Sequence, residues 1–358
     1  MAKQMRKQRP TVRWRRVVRE AQWLIIVLLT TGATVVSGAS SARAASLIPT
    51  QPSAGCRADS IDRASRHTIE VGGTQRGYIL DVPERVRPHE PVPLVFDFHG
   101  FGDSAARLSE VSAFRPLAAR DGFIVVYPDG LPVHLLGRDA PGWEIFSAVS
   151  DFAPDSDPTR PPEASGVRAG SGPAEPTPTA GPAGNRDLAF TAALLERLEA
   201  EYCIDEARVF ATGFSNGAFF SHLLGCAMAD RFAAIAPVSG GLITPCAPAR
   251  TVPVIMHHGT HDPLVDVERA RQARDAWLQI DHCRQASNTP AKKSGPPQKT
   301  QASSGCEWYH QCRNGAEVEY CENDGGHRWP ADAAARIWDF FRNHPMAGDA
   351  PLNRRTPR

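Results

Sequence analysis

With 358 residues, 42% hydrophobic content and a formal net charge of +1, the chain is long enough to bury one large core. Its 40 Lys and Arg against 39 Asp and Glu leave no basic footprint for nucleic acid. The eight cysteines suit disulfides in an oxidising compartment, and with no Cys-x-x-Cys pair among them a zinc ribbon is not expected.

The first 19 residues are rich in Arg and Lys, an apolar core runs from Trp23 to Leu29 and weakens towards Val36, and Ala42-Arg43-Ala44 is a small-residue cleavage signature. Residues 1–44 therefore read as a signal peptide. Thr30, Thr31 and Gly32 interrupt the apolar run, which is too short to span a bilayer, so no stable membrane anchor is expected after cleavage. The expected location is secreted or periplasmic. Arg15-Arg16 has the form of a twin-arginine signal, a pair that arginine-rich leaders produce readily, so the export route stays open.

After a lead-in at 45–67, one domain is expected over 68–346, followed by a polar tail at 347–358. Strands are predicted at 68–71, 77–82, 94–99, 123–127, 209–213, 233–238, 254–258 and 318–322. Helices are predicted at 105–120, 187–202, 216–226, 267–281 and 331–343. Gly72-Gly73 makes the first two strands a hairpin, and the later alternation of strand and helix implies a mainly parallel sheet. The predicted class is α/β: an α/β-hydrolase fold with a mostly parallel eight-stranded sheet and helices on both faces. Two stretches break the pattern, 151–184 and 287–305, both poor in large apolar residues and expected as disordered insertions. The first leaves the sheet near a strand exit and is open to a lid role as well as a passive one.

The chemistry-bearing residues fall just past strand ends, where open α/β sheets place their sites. Gly213-Phe214-Ser215-Asn216-Gly217 lies between a strand-like and a helix-like run, the setting of a nucleophile elbow with Ser215 projecting above the sheet. A serine hydroxyl needs a histidine base, and the histidine a carboxylate to fix its tautomer. Asp262, past the strand at 254–258, and His327, past the strand at 318–322, supply them in the order Ser, acid, His. Phe98-His99-Gly100-Phe101-Gly102 is an apolar strand entering a glycine loop, which nominates the backbone N–H groups of Phe101 and Asn216 as oxyanion donors. Trp143 and Trp329 are candidates for lining a pocket, or for packing at the sheet edge. His257, His258 and His261 read as loop and core residues beside the acid, so no metal and no cofactor is expected.

Taken with Phe232 to Val238, His258-Gly259-Thr260-His261-Asp262 and Gly326-His327-Arg328-Trp329-Pro330, these motifs resemble the polyhydroxybutyrate depolymerase and feruloyl esterase branch of the α/β-hydrolases. The resemblance runs from about Thr68 to about Asn343. It implies that Ser215, Asp262 and His327 are nucleophile, acid and base of a secreted carboxylic-ester hydrolase. Members often carry paired acids where this chain has Asn185-Arg186-Asp187, so Asp187 is given helix capping alone. Phe101 stands where members commonly have a smaller residue, which is expected to narrow the pocket.

Polyester depolymerases usually add a substrate-binding domain, so the expected partner is a small or oligomeric ester: a hydroxyalkanoate oligomer, or a feruloyl or acetyl ester of plant cell-wall polysaccharide. A serine peptidase or acyltransferase uses the same triad, and a catalytically silent secreted binding protein keeps the same fold. These alternatives stay open at this point.

Overall fold

The computed structural model describes residues 48–145, 184–243, 245–284 and 305–346. The expected leader, the polar tail and all but the last residue of each expected insertion lie outside the described residues. The described residues belong to the unit Ala45–Arg358. No helix among them is long and apolar enough to cross a membrane.

Six strands, mostly buried and most of them carrying apolar runs, form the centre of one sheet. They are β3 (Val92–Phe98), β4 (Ile124–Pro128), β7 (Ile204–Phe214), β8 (Ala234–Val238), β9 (Val254–Gly259) and β11 (Val318–Asn323). Unbroken apolar runs are what a parallel strand covered on both faces requires. These six pair in parallel in the order β4-β3-β7-β8-β9-β11. The hairpin of β1 (Arg66–Val71) and β2 (Thr74–Asp81) extends the β4 edge antiparallel.

Beyond β11 the sheet gains a ninth strand that the sequence did not announce, β10 (Cys306–Tyr309), antiparallel to β11. Four residues with mostly exposed side chains carry no apolar run. What fixes the strand is the Cys306–Cys321 disulfide, which joins two residues directly opposite in register. A second unannounced pair, β5 (Leu131–Leu135) and β6 (Arg138–Gly142), forms a separate two-stranded hairpin beside the β4 exit. Pro132 and Pro141 hide it, since proline argues against strand in a sequence reading.

Helices cover both faces. α3 (Arg186–Glu201), α4 (Asn216–Ala227) and α5 (Val267–Ile280) lie over a core that includes Leu194, Phe220 and Trp277. α1 (Ala105–Val111), α2 (Phe114–Asp121) and α6 (Ala333–Arg342) lie over a core that includes Leu108, Phe114 and Phe341. The single helix expected at 105–120 is thus two helices, with Ala113 between them in the left-handed region at φ 63°. Pro116 explains the break: in a continuous helix its ring would clash with the carbonyl of Ser112, whereas the first turn of a new helix has no need of its N–H. Ser104 caps α1, its side chain accepting from Arg107 N–H.

Asp187 does not cap α3, contrary to expectation. Asn185 does, its Oδ1 accepting from the N–H groups of Asp187 and Leu188. Asp187 instead accepts from the Arg76 guanidinium of β2 at 2.7 Å and from Glu144 N–H at 2.8 Å, deep in the core. Arg76 stacks over the Phe190 ring at 3.9 Å. Four disulfides, Cys56–Cys203, Cys226–Cys246, Cys283–Cys312 and Cys306–Cys321, account for every cysteine and mark a chain that matures in an oxidising compartment.

Candidate active site

The C-terminal ends of β3, β7, β9 and β11 bring four loops to one edge of the sheet. β7 turns into α4 through Ser215, whose backbone sits at φ 54°, ψ −117°. That region costs a non-glycine residue about 1–3 kcal/mol and persists only where surrounding structure enforces it. The enforcement is visible: Ser215 N–H donates to Val238 O at 2.9 Å, while Ala218 and Phe219 N–H groups return to Ser215 O. Gly213 and Gly217 are sterically required, since a Cβ on Gly213 would lie 2.5 Å from Gly217 O and one on Gly217 would collide with Phe98 O. Ser215 is half-buried, and its hydroxyl makes no capping bond to α4. The hydroxyl is left free for chemistry.

β9 delivers the acid and β11 the histidine. His327 Nδ1–H donates to Asp262 Oδ2 at 2.7 Å, and Leu264 and Val265 N–H groups donate to Asp262 Oδ1 at 2.9 Å each. Burial works to raise the Asp262 carboxyl, but the bonds from Val265, His327 and Leu264 prevail and hold it below the usual carboxylate range. Asp262 is therefore an anion aimed at His327. Phe214, the residue before Ser215, sets its ring 4.8 Å from the His327 ring at a 43° tilt, which brings the histidine to the elbow. The structure contains no Ser215–His327 hydrogen bond, a contact that often tightens only when substrate is bound.

The neighbouring histidines have other work. His258 Nε2–H donates to Val265 O at 2.9 Å and lies 3.6 Å from Asp262 Oδ2, and its burial lowers its pKa. His257 is wholly buried and pushed down to about 4 by that burial. His261 pairs with Asp324 at 2.9 Å on the surface. Among the described residues, the cluster of metal-ligand types is Cys306, Glu319 and Cys321, and both of its sulfurs are in a disulfide.

The loop after β3 lies against the elbow: a Cβ on Gly100 would be 3.5 Å from the Ser215 Cβ. Neither Phe101 N–H nor Asn216 N–H is donated within the described residues. His99 braces this loop. Its Nε2 accepts from Gly130 N–H at 2.9 Å, so its Nδ1 carries the proton and donates to Gly100 O at 2.8 Å. Burial lowers its pKa, so it is neutral. The Phe101 ring turns to the β5–β6 hairpin, where Arg138 stacks on it at 4.8 Å.

The two tryptophans differ in burial. Trp143 is 1% exposed, edge-on to Phe98 at 5.0 Å and stacked on Phe220 at 5.3 Å, so it is a core residue behind the loop and not a pocket wall. Trp329 is half-buried, edge-on to Phe114 at 6.2 Å. Sequence reasoning missed Phe214 as the contact to His327, and also Leu264, 69% exposed beside the acid. The position of each next to a motif residue was the available signal.

The sheet order and the helices on both faces define a fold class, the α/β-hydrolase fold. No family model matches the chain. Over 311 residues it is 25% identical to feruloyl esterase D of Neurospora crassa, covering 81% of this chain and 90% of that protein. It is 24% identical over 297 residues to feruloyl esterase B of Piromyces equi, covering 76% of this chain and 46% of that one, so it spans less than half of that longer relative. An acetyl xylan esterase from Aspergillus awamori has the same fold, with a TM-score of 0.51 over 78% of this chain and 100% of that one at 14% identity. The α/β-hydrolase fold and the feruloyl-esterase resemblance expected from the motifs are thereby borne out.

Proposed function

We propose that this protein is a secreted serine esterase that hydrolyses carboxylic esters through an acyl-enzyme on Ser215. The observation that carries the reading is the pairing of a strained, uncapped Ser215 with a partly buried Asp262–His327 hydrogen bond of 2.7 Å at the same sheet edge. His327 Nε2 takes the Ser215 proton as the hydroxyl oxygen attacks the ester carbonyl, and Asp262 stabilises the resulting imidazolium. Phe101 and Asn216 N–H groups, with the N-terminus of α4, receive the negative charge on the carbonyl oxygen. Collapse of the intermediate releases the alcohol with the proton from His327. Water, deprotonated by His327, then cleaves the acyl-serine and regenerates the hydroxyl.

The relatives support feruloyl or acetyl esters of plant cell-wall polysaccharide as substrates. The disulfides and the arginine-rich leader support export, with cleavage after Ala44. The test is hydrolysis of a p-nitrophenyl acyl ester and of methyl ferulate by wild type and Ser215→Ala. Activity on either that vanishes in the variant supports the reading, and the ratio between the two reports the pocket. Folded wild type that turns over neither, with Ser215 unlabelled by a fluorophosphonate, makes a silent binding protein the better account.

A further inference from the structure

The two N–H groups assigned to the oxyanion belong to elements far apart in sequence, Phe101 after β3 and Asn216 at the start of α4. A misplacement of about 1 Å between such groups costs on the order of 100-fold in rate. We infer that residues 141–143, at the exit of the β5–β6 hairpin, staple the two donors together, and that the Asn216 side chain anchors the staple. Asn216 is then a positioning residue through its side chain as well as a donor through its backbone, an inference that rests on the esterase reading.

The contacts form a closed circuit. Asn216 Oδ1 accepts from Trp143 N–H at 2.7 Å, and Asn216 Nδ2 donates to Trp143 O at 3.2 Å. A primary amide is the side-chain group that satisfies both the N–H and the C=O of one residue in this way. From there, residues 141–143 reach the β3 loop twice, once through Trp143 and once through Pro141. The Trp143 indole N–H donates to His99 O at 2.8 Å, and Pro141 O, two residues earlier, accepts from Gly102 N–H at 2.7 Å. Phe101 lies between these two pinned residues.

The fit is close enough to demand glycine at 142, where a Cβ would lie 2.9 Å from Asn216 Oδ1, 2.8 Å from Val133 Cγ2 and 3.2 Å from Phe101 Cδ2. Asn216 and Trp143 are both almost fully buried, so no water is on hand to replace a lost partner. Asp at 216 keeps the bond from Trp143 N–H but turns an acceptor towards Trp143 O. Ala at 216 removes both bonds and leaves the backbone donor in the chain.

The experiment compares an aryl ester with its thionoester, in which sulfur replaces the carbonyl oxygen. Sulfur is a poor hydrogen-bond acceptor, so the preference for the oxygen ester reports how well the N–H groups are placed, whatever fraction of the protein is folded. Asn216→Ala is expected to lower kcat on the oxygen ester roughly 10–100-fold with KM within about threefold, and to shrink the oxygen-to-sulfur preference in step. Asn216→Asp should do the same. Trp143→Phe, which deletes only the indole N–H, should shift both in the same direction by less, and decides the matter if the Asn216 variants fail to fold. A kcat that falls with the preference unchanged, or a kcat that does not fall, overturns the staple while leaving the esterase standing. Wild type that hydrolyses neither ester and whose Ser215 resists a fluorophosphonate overturns the esterase reading, and the staple with it.

Discussion

Asp187→Asn is expected to be among the most damaging single substitutions outside the triad. Asp187 and Arg76 are an ion pair with side-chain exposures of 0% and 2%, tying β2 to α3. Burial depresses the Arg76 pKa even with Asp187 beside it, and the Arg76 Nε–H is already buried without an acceptor among the described residues. Asn still accepts from Glu144 N–H but leaves the guanidinium without its counter-charge. Stranding one member of a buried pair costs about 3–5 kcal/mol. Arg76→Met should cost less, because Asp187 keeps its bond from Glu144 N–H and sits in the first turn of α3, where the helix dipole favours an anion by about 0.3–1 kcal/mol. Combining the two substitutions removes both charges and should recover much of the Asp187→Asn loss. Denaturant unfolding with disulfides intact measures all four corners of the cycle. Asp187→Asn within about 1 kcal/mol of wild type, or a double variant no more stable than Asp187→Asn, would refute the reasoning.

Three further outcomes are expected. Asp262→Asn keeps an acceptor for Leu264 and Val265 but loses the charge that fixes the His327 tautomer, so kcat on a p-nitrophenyl ester should fall by roughly 10⁴ with Tm little changed. Asp97 in β3 is fully buried and pushed from 3.8 up to about 7 by that burial. A carboxyl with a raised folded pKa binds more protons native than unfolded between these values, so it destabilises as pH rises through about 4 to 7, by about 4 kcal/mol in all. Asp97→Asn should therefore gain stability over wild type at pH 8 relative to pH 5, and an equal difference at both pH values would sink the assignment. Asp281 and Glu319 are raised by burial in the same way, so the difference between variant and wild type isolates Asp97. Replacing Cys306 and Cys321 by Ser removes a cross-link between residues 15 apart and should cost about 3 kcal/mol in denaturant unfolding.

The parts of the fold that could be read from sequence are those whose physics is local. A strand covered on both faces must be apolar throughout, so β3, β7, β8 and β9 stand out as runs. Glycines at 213 and 217 are dictated by the crowding of one turn, so the elbow is written in five residues. Pro116 is equally local: its ring clash separates α1 from α2 within the run expected as one helix at 105–120.

Other features turn on a partner that the local sequence does not name. Asp187 looks like a cap because a first-turn acid beside Asn185 is a capping pattern. Its hydrogen-bond partner Arg76 is 111 positions away, and nothing near either residue marks the pair. β10 has no apolar pattern because its stability comes from β11 and a disulfide. Trp143 shows the same limit at the site itself. Following a Pro-Gly turn past a strand exit, it has the address of a pocket residue, yet its indole N–H is used on His99 O and its backbone on Asn216, 73 residues further on. The residues proposed for the chemistry sit on sharp turns with strict local demands, whereas those that hold them in place are selected by neighbours from other elements. A sequence motif therefore finds Ser215 readily, and the support for the oxyanion loop emerges only once β3, the β5–β6 hairpin and α4 are seen together.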